Sequence, residues 1–114
     1  MLNAEINEIV KIILSAVPAT EIYLFGSYAN GTVTEDSDYD FYVVIPDDSD
    51  MREREATWTI RHSLAGKQKR GIDLLIGTQS KFNRRKDYFY SIENEVIETG
   101  VKLHSNEMLE LVSG

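Results

Sequence analysis

The chain of 114 residues has no cysteine and only two prolines and two histidines. The lack of cysteine excludes disulfide bonds, thiolate metal sites and a cysteine nucleophile. His62 and His104 are too far apart in sequence for a paired-histidine metal motif. The longest apolar run, Phe41 to Ile45, is far shorter than the roughly 20 residues of a membrane-spanning helix. The N-terminus also lacks the features of a signal peptide, so we expect a cytoplasmic protein without membrane association.

Basic residues are scarce, with 12 against 19 acidic ones and a net charge of −7. Domains that bind nucleic acid on their own are usually basic, so direct nucleic-acid binding is not expected. Yet residues 51–86 hold 10 basic and 3 acidic side chains, whereas residues 1–50 hold 1 basic and 10 acidic. This contrast indicates a local anion site. Two basic clusters lie in this range, and they form either a solvated face or contacts to a triphosphate or an acidic partner. The first cluster is Lys67, Lys69 and Arg70, and the second cluster is Lys81, Arg84, Arg85 and Lys86.

Length and composition predict a single domain over residues 1–114. Apolar periodicity predicts three long helices: residues 2–17, residues 51–64 with Asp50 as N-cap, and residues 88–99. Short apolar or alternating runs predict four strands: residues 21–25, 38–45, 71–77 and 101–103. Residues 27–31 are expected to form one helical turn, and residues 78–86 are ambiguous. We therefore expect an α+β (α/β) fold with a small mixed sheet flanked by helices.

Three aspartates stand out on the predicted strands. Asp38 and Asp40 are two positions apart, so they project from one face of a strand at about 7 Å from each other. Asp73 lies in a second, otherwise apolar strand, where a charge is costly unless it is paired, solvated or bound to metal. If the two strands are neighbours, the three carboxylates converge. Oxygen ligands of this kind suit Mg²⁺, and three carboxylates can hold two ions about 3.5–4 Å apart.

A Gly26-Ser27 pair ends the strand before these aspartates and leads into the predicted helical turn. Such a turn offers backbone N–H groups and a hydroxyl to a phosphate. Two other motifs do not fit. A calcium loop starting at Asp36 would need glycine where Phe41 stands, and a P-loop starting at Gly26 would need Lys-Ser/Thr after Gly31.

Together, residues 24–31, 37–40 and 72–74 resemble the motifs of the DNA polymerase β-like nucleotidyltransferase superfamily. The similarity is greatest to its minimal nucleotidyltransferase (MNT) branch. The pattern of that family is an apolar strand ending in Gly-Ser, an Asp-x-Asp after a spacer, and a third Asp on a later strand. Residues 97–103 also resemble the last helix and strand of the family. One departure is Asn30, where family members often carry Arg.

The resemblance implies the nucleotidyltransferase fold and transfer of a nucleoside monophosphate to a hydroxyl group, with AMP from ATP as the expected case. Asp38 and Asp40 would bind two Mg²⁺ ions. Asp73 would complete the catalytic metal site and help to deprotonate the acceptor. Gly26 and Ser27 would hold the β- and γ-phosphates of the nucleotide.

The resemblance also implies a partner. MNT-type antitoxins act with a helical HEPN-type toxin protein, and we expect the acceptor hydroxyl to lie on such a partner. Two alternatives stay open: a subunit that modifies a small molecule, as aminoglycoside nucleotidyltransferases do, and an antitoxin that binds its toxin without catalysis.

Several aromatic residues lie outside these motifs. Trp58, Tyr88, Phe89 and Tyr90 are expected to pack in the core or at its edge rather than to stack on an adenine base.

Overall fold

The structure is a computed structural model, which describes residues 4–31, 37–67 and 71–106. It contains five helices in the described residues: α1 (Ala4–Ala16), α2 (Ser27–Asn30), α3 (Glu53–Leu64), α4 (Gln79–Arg85) and α5 (Ile92–Thr99). The strands are β1 (Glu21–Phe25), β2 (Tyr39–Ile45), β3 (Ile72–Thr78) and β4 (Val101–Ser105). None of the helices in these ranges has the length and apolar character needed to cross a membrane. Three residues weighed above, Asp36, Lys69 and Arg70, lie outside the described residues.

The strands form one mixed sheet in the order β3-β2-β1-β4. Strand β1 pairs antiparallel with both β2 and β4, and the pairing with β4 shifts register between Ile22 and Tyr23. Strands β2 and β3 run parallel, which requires a crossover, and α3 provides it. The prediction of a small mixed sheet flanked by helices is confirmed.

Helices cover both faces of the sheet, because the strands are apolar on both sides. One face packs against α1 and α3, whose buried residues include Ile6, Ile13 and Ile60. The other face packs against α4 and α5 through Phe82 and Val96. Successive residues of β2 alternate between these two cores. The even-numbered residues of β2, including Asp40, therefore face the side of α4 and α5.

Two helices begin later than their predicted bounds. Helix α3 begins at Glu53 after an extended Arg52 that makes no side-chain capping bond, so the prediction of Asp50 as N-cap is wrong. Helix α5 begins at Ile92 rather than Tyr88, because the Ser91 side chain accepts a hydrogen bond from the Asn94 amide and caps the helix there.

The ambiguous residues 78–86 form helix α4. Its N-cap is Thr78, whose side chain accepts from the backbone N–H of Lys81. The side chain of Asp47 also accepts a bond from the backbone N–H of Ser80. Asp47 thus ties the loop after β2 to the first turn of α4, where a carboxylate is favourable.

The prediction of packed aromatic residues outside the motifs is wrong. Trp58 is 66% exposed, and its ring stacks on the ring of His62 at 4.9 Å between ring centroids. Tyr88, Phe89 and Tyr90 are 53%, 79% and 94% exposed. The physical reason is that α5 starts after these three residues, which leaves them in a turn outside the helix face that packs on the sheet.

Candidate active site

Two of the predicted aspartates are brought together by the parallel pairing of β2 and β3. Asp40 lies directly opposite Asp73 in the register of the two strands. Neighbouring strands are about 4.8 Å apart, so side chains at paired positions project side by side on one face of the sheet. The condition stated above for convergence of the carboxylates, that the two strands are neighbours, is thus met.

The electrostatics of Asp40 reflect this crowding. Its pKa is raised to about 6, and burial is the largest cause. The next causes are a hydrogen bond with Asp73 and the negative charges of Asp73 and Asp38. The charge of Glu95 adds a smaller contribution. Glu95 lies on α5 and was not singled out in the sequence. Asp40 therefore holds a proton at mildly acidic pH, which a bound cation would displace.

Asp38 precedes β2 and is exposed. Its carboxylate lies beside Gly71, where a Cβ atom would meet Oδ1 at 2.5 Å, and the Tyr39 amide donates to the Gly71 carbonyl at 3.0 Å. The start of β2 is in this way held against the start of β3. Among residues 4–31, 37–67 and 71–106, no three acidic or histidine side chains are already arranged as the ligands of one metal ion.

The donors nevertheless fit a hard cation. Asp38, Asp40 and Asp73 supply only carboxylate oxygens, the ligands that Mg²⁺ prefers. The raised pKa of Asp40 follows from burial and from repulsion between these carboxylates, and positive charge would relieve that repulsion. The residues present therefore fit Mg²⁺.

Gly26 and Ser27 lie at the same edge of the sheet. Phe25 pairs with Asp40, so the following Gly26 comes against the Asp40 carboxylate, which fills the space that a Cβ atom would take. Gly26 has φ 74° and ψ −149°, a conformation open almost only to glycine. Ser27 then starts α2, which Gly31 closes in the left-handed conformation, as the predicted helical turn requires.

A buried polar network on the same face was not predicted. Tyr42 donates to Glu93 Oε2 at 2.7 Å, and Arg85 Nε donates to Glu93 Oε1 at 2.9 Å. Burial alone would raise the pKa of Glu93, but these hydrogen bonds outweigh it and lower that pKa. Burial and the bond to Glu93 raise the pKa of Tyr42. The network joins β2, α4 and α5, and Tyr42 is two residues from Asp40.

The four cations of the second basic cluster differ in whether they pair with an acidic side chain. Lys81 pairs with Glu53 at 3.5 Å, and Arg85 pairs with the buried Glu93. Arg84 and Lys86 have no acidic partner in the part of the chain that the structure describes.

Solved structures share the fold. A chain from the structure of a toxin–antitoxin complex with AMP-PNP is 25% identical, with a TM-score of 0.65, over 96% of this chain and 80% of that chain. A chain from a variant of the toxin–antitoxin pair MntA–HpeT is 27% identical, with a TM-score of 0.62, over 98% of this chain and 80% of that chain. The expected nucleotidyltransferase fold is confirmed.

The sequence comparisons agree. The protein adenylyltransferase MntA of Shewanella oneidensis is 36% identical over 70 residues, which make up 60% of this chain and 48% of that protein. The chain thus spans about half the length of this curated relative. The sequence model of the nucleotidyltransferase domain matches residues 6–104, and the chain therefore belongs to the nucleotidyltransferase domain family.

Proposed function

We propose that the protein is a Mg²⁺-dependent nucleotidyltransferase that transfers AMP from ATP to a hydroxyl group of a partner protein. The observation that carries this proposal is the register of Asp40 opposite Asp73, with Gly26 packed against the Asp40 carboxylate. A pair of carboxylates can bind the cations of a nucleoside triphosphate. The adjacent turn between a strand and a helix, where glycine leaves the backbone accessible, can bind its phosphates. The similarity to a protein adenylyltransferase supports AMP as the transferred group.

The chain's residues have separate roles in this mechanism. Gly26 and Ser27 bind the β- and γ-phosphates through backbone N–H groups and the Ser27 hydroxyl. Asp38 and Asp40 hold two Mg²⁺ ions, and Asp73 completes the catalytic site. Mg²⁺, when bound, supplies charge neutralisation at the triphosphate.

The chemical step is a displacement at the α-phosphorus. The acceptor oxygen forms a bond to this phosphorus, and the bond from the phosphorus to the oxygen that bridges to the β-phosphate breaks, releasing pyrophosphate. Asp73 helps to take the hydroxyl proton. Most of the remaining catalysis comes from positioning and from neutralising charge.

The expected acceptor is a helical protein of the HEPN type, with the chain acting as the antitoxin of the pair. The similarity to chains of toxin–antitoxin complexes supports this partner class. Asn30, where family members often carry Arg, belongs to α2 next to the proposed phosphate site.

The experiment is transfer from ATP to the product of the reading frame adjacent to the gene of this chain. Intact-mass analysis should show addition of AMP to that protein in the presence of Mg²⁺ and not with EDTA. Asp38→Asn should abolish the transfer, whereas Asp48→Asn, an exposed acid after β2, should not. If the partner stays unmodified while a small alcohol is readily modified, the proposal of a protein acceptor is overturned. If the partner is bound but never modified, the proposal that the chain is a catalyst is overturned.

A further inference from the structure

The turn between α4 and α5 presents three consecutive aromatic side chains to solvent. We define the aromatic turn as Asp87–Ser91, which carries Tyr88, Phe89 and Tyr90. Phe89 and Tyr90 contact each other edge to face at 4.8 Å, and they remain 79% and 94% exposed. Contiguous exposed aromatic surface is unusual, and it often marks an interaction site.

The backbone of this turn is held firmly, although its side chains are exposed. The Ser91 hydroxyl donates to the Arg85 carbonyl at 2.5 Å or to the Tyr88 carbonyl at 3.0 Å, and it accepts from the Asn94 amide at 2.9 Å. The Asn94 side chain donates to the Lys86 carbonyl at 2.7 Å. Rigid aromatic groups lose little conformational entropy on binding, so a turn ordered in this way is prepared for contact.

The turn is also joined to the interior. Arg85, at the end of α4, pairs with the buried Glu93 of α5, and Glu93 accepts a bond from Tyr42 in the middle of the sheet. Both ends of the aromatic turn are therefore fixed to the face of the sheet that carries Asp40.

The charge around the turn indicates what could cover it. Arg84 and Lys86 precede the turn and have no acidic partner among the described residues, and the turn itself carries one exposed carboxylate, that of Asp87. In a symmetric dimer formed through this surface, the Arg84 and Lys86 side chains of both copies would be gathered in one interface with only one exposed carboxylate from the turn of each copy, which is unfavourable. A partner with acidic side chains around an apolar groove would complement both the rings and the charges.

We propose that the aromatic turn is the docking site for a partner protein that presents an apolar groove bordered by Asp and Glu side chains. Phe89 and Tyr90 enter the groove, and Arg84 and Lys86 pair with its acidic border. This proposal deepens the proposed function, because it assigns the surface that holds the protein acceptor.

The test measures binding without nucleotide, so that it does not depend on catalysis. The probe is the purified product of the adjacent reading frame, titrated by isothermal calorimetry. The double variant Phe89→Ala/Tyr90→Ala should bind at least about 30-fold more weakly than the wild type, as for two central aromatic contacts. Trp58→Ala changes an exposed aromatic residue of helix α3 and should bind as the wild type does. Asp38→Asn should also bind normally while it loses transfer.

The remaining outcomes overturn the docking proposal. Equal binding by wild type and the double variant would do so, as would no binding by the wild type. Self-association in sedimentation velocity that the double variant abolishes would assign the turn to a second copy. Co-sedimentation with phosphatidylglycerol–phosphatidylcholine vesicles that the double variant abolishes would assign it to a membrane surface. The proposed function fails separately, if the wild type binds the probe and transfers no AMP.

Discussion

The carboxylate of Asp40 occupies the space that a Cβ atom on Gly26 would need. The contact joins the end of β1 to the start of β2, and it explains why the strand before the aspartates ends in glycine. The two residues thus depend on each other, since the carboxylate can hold its position only where the turn has no side chain.

Gly26→Ala should therefore be more damaging than an ordinary glycine substitution. We expect a loss of at least about 2 kcal/mol in the free energy of unfolding, from the backbone conformation and the displaced carboxylate together. Gly66→Ala is the matched control, because Gly66 also has φ 74°, but a Cβ atom added there would meet no described atom within 4 Å. Urea denaturation would measure both. Equal losses would show that the contact with Asp40 carries no cost.

The pKa of Asp40 leads to a pH prediction. This pKa is about 6 in the folded protein against 3.8 for the ordinary group, so the folded state binds the proton more tightly. The stabilisation from this group is complete below about pH 3.8 and is lost as the pH rises through about 6. Without metal, Asp40→Asn should flatten this part of the dependence of Tm on pH. Asp48→Asn should leave it unchanged, and a pH dependence that persists in Asp40→Asn would refute the assignment.

Divalent ions should act through the same carboxylates. We expect Mg²⁺ with ATP to raise the Tm of the wild type by mass action at pH 7.5 and to do so less at pH 5.5, where a proton competes at Asp40. Asp38→Asn should remove most of the increase. Differential scanning fluorimetry with Mg²⁺, EDTA and ATP in turn checks this, and an identical response from wild type and variant would contradict the metal site.

The buried network gives a stability prediction. Tyr42→Phe removes the donor to Glu93 Oε2 and leaves that oxygen buried without its partner. We expect a loss of about 1–3 kcal/mol in the free energy of unfolding. Tyr90→Phe, the same change at a highly exposed position, should stay within about 0.5 kcal/mol of the wild type. Chemical denaturation of the two variants compares them directly.

Ser91 should be needed for the order of the aromatic turn. Ser91→Ala removes the N-cap of α5 and the hydroxyl that donates to the Arg85 or the Tyr88 carbonyl, so we expect a loss of about 0.5–2 kcal/mol in the free energy of unfolding. Hydrogen exchange at the Asn94 amide should become faster. Ser80→Ala, at an exposed position on α4, serves as the control, and unchanged exchange in Ser91→Ala would contradict the capping role.

Much of the fold could be predicted because it depends on local patterns. Strand β1 was predicted with its observed bounds, since Glu21–Phe25 lies between Pro18 and the Gly26-Ser27 turn. The sequence pattern predicts a start of helix α5 at Tyr88, which is too early, because Tyr88 and Phe89 fit the helical period. The Ser91 cap was a readable signal that would have corrected the start.

The sequence nominates the residues of the candidate site, but it does not show how they are arranged. The spacing of Asp38 and Asp40 placed them on one strand face, but nothing local could show that Asp73 pairs with Asp40. That register depends on the crossover through α3. The position of Asp38 beside Gly71 and the influence of Glu95 on Asp40 likewise arise only from tertiary packing.

The order of strands also has a consequence for how the chain folds. Strand β1 pairs with β2 across a short sequence separation, whereas its other neighbour, β4, comes from the far end of the described chain. Closing such a long loop is entropically costly and slows the formation of the contact. The three strands that carry the carboxylates and the glycine turn can therefore assemble before β4 arrives. Pulse-labelling hydrogen exchange during refolding should find amides of β2 protected earlier than those of β4.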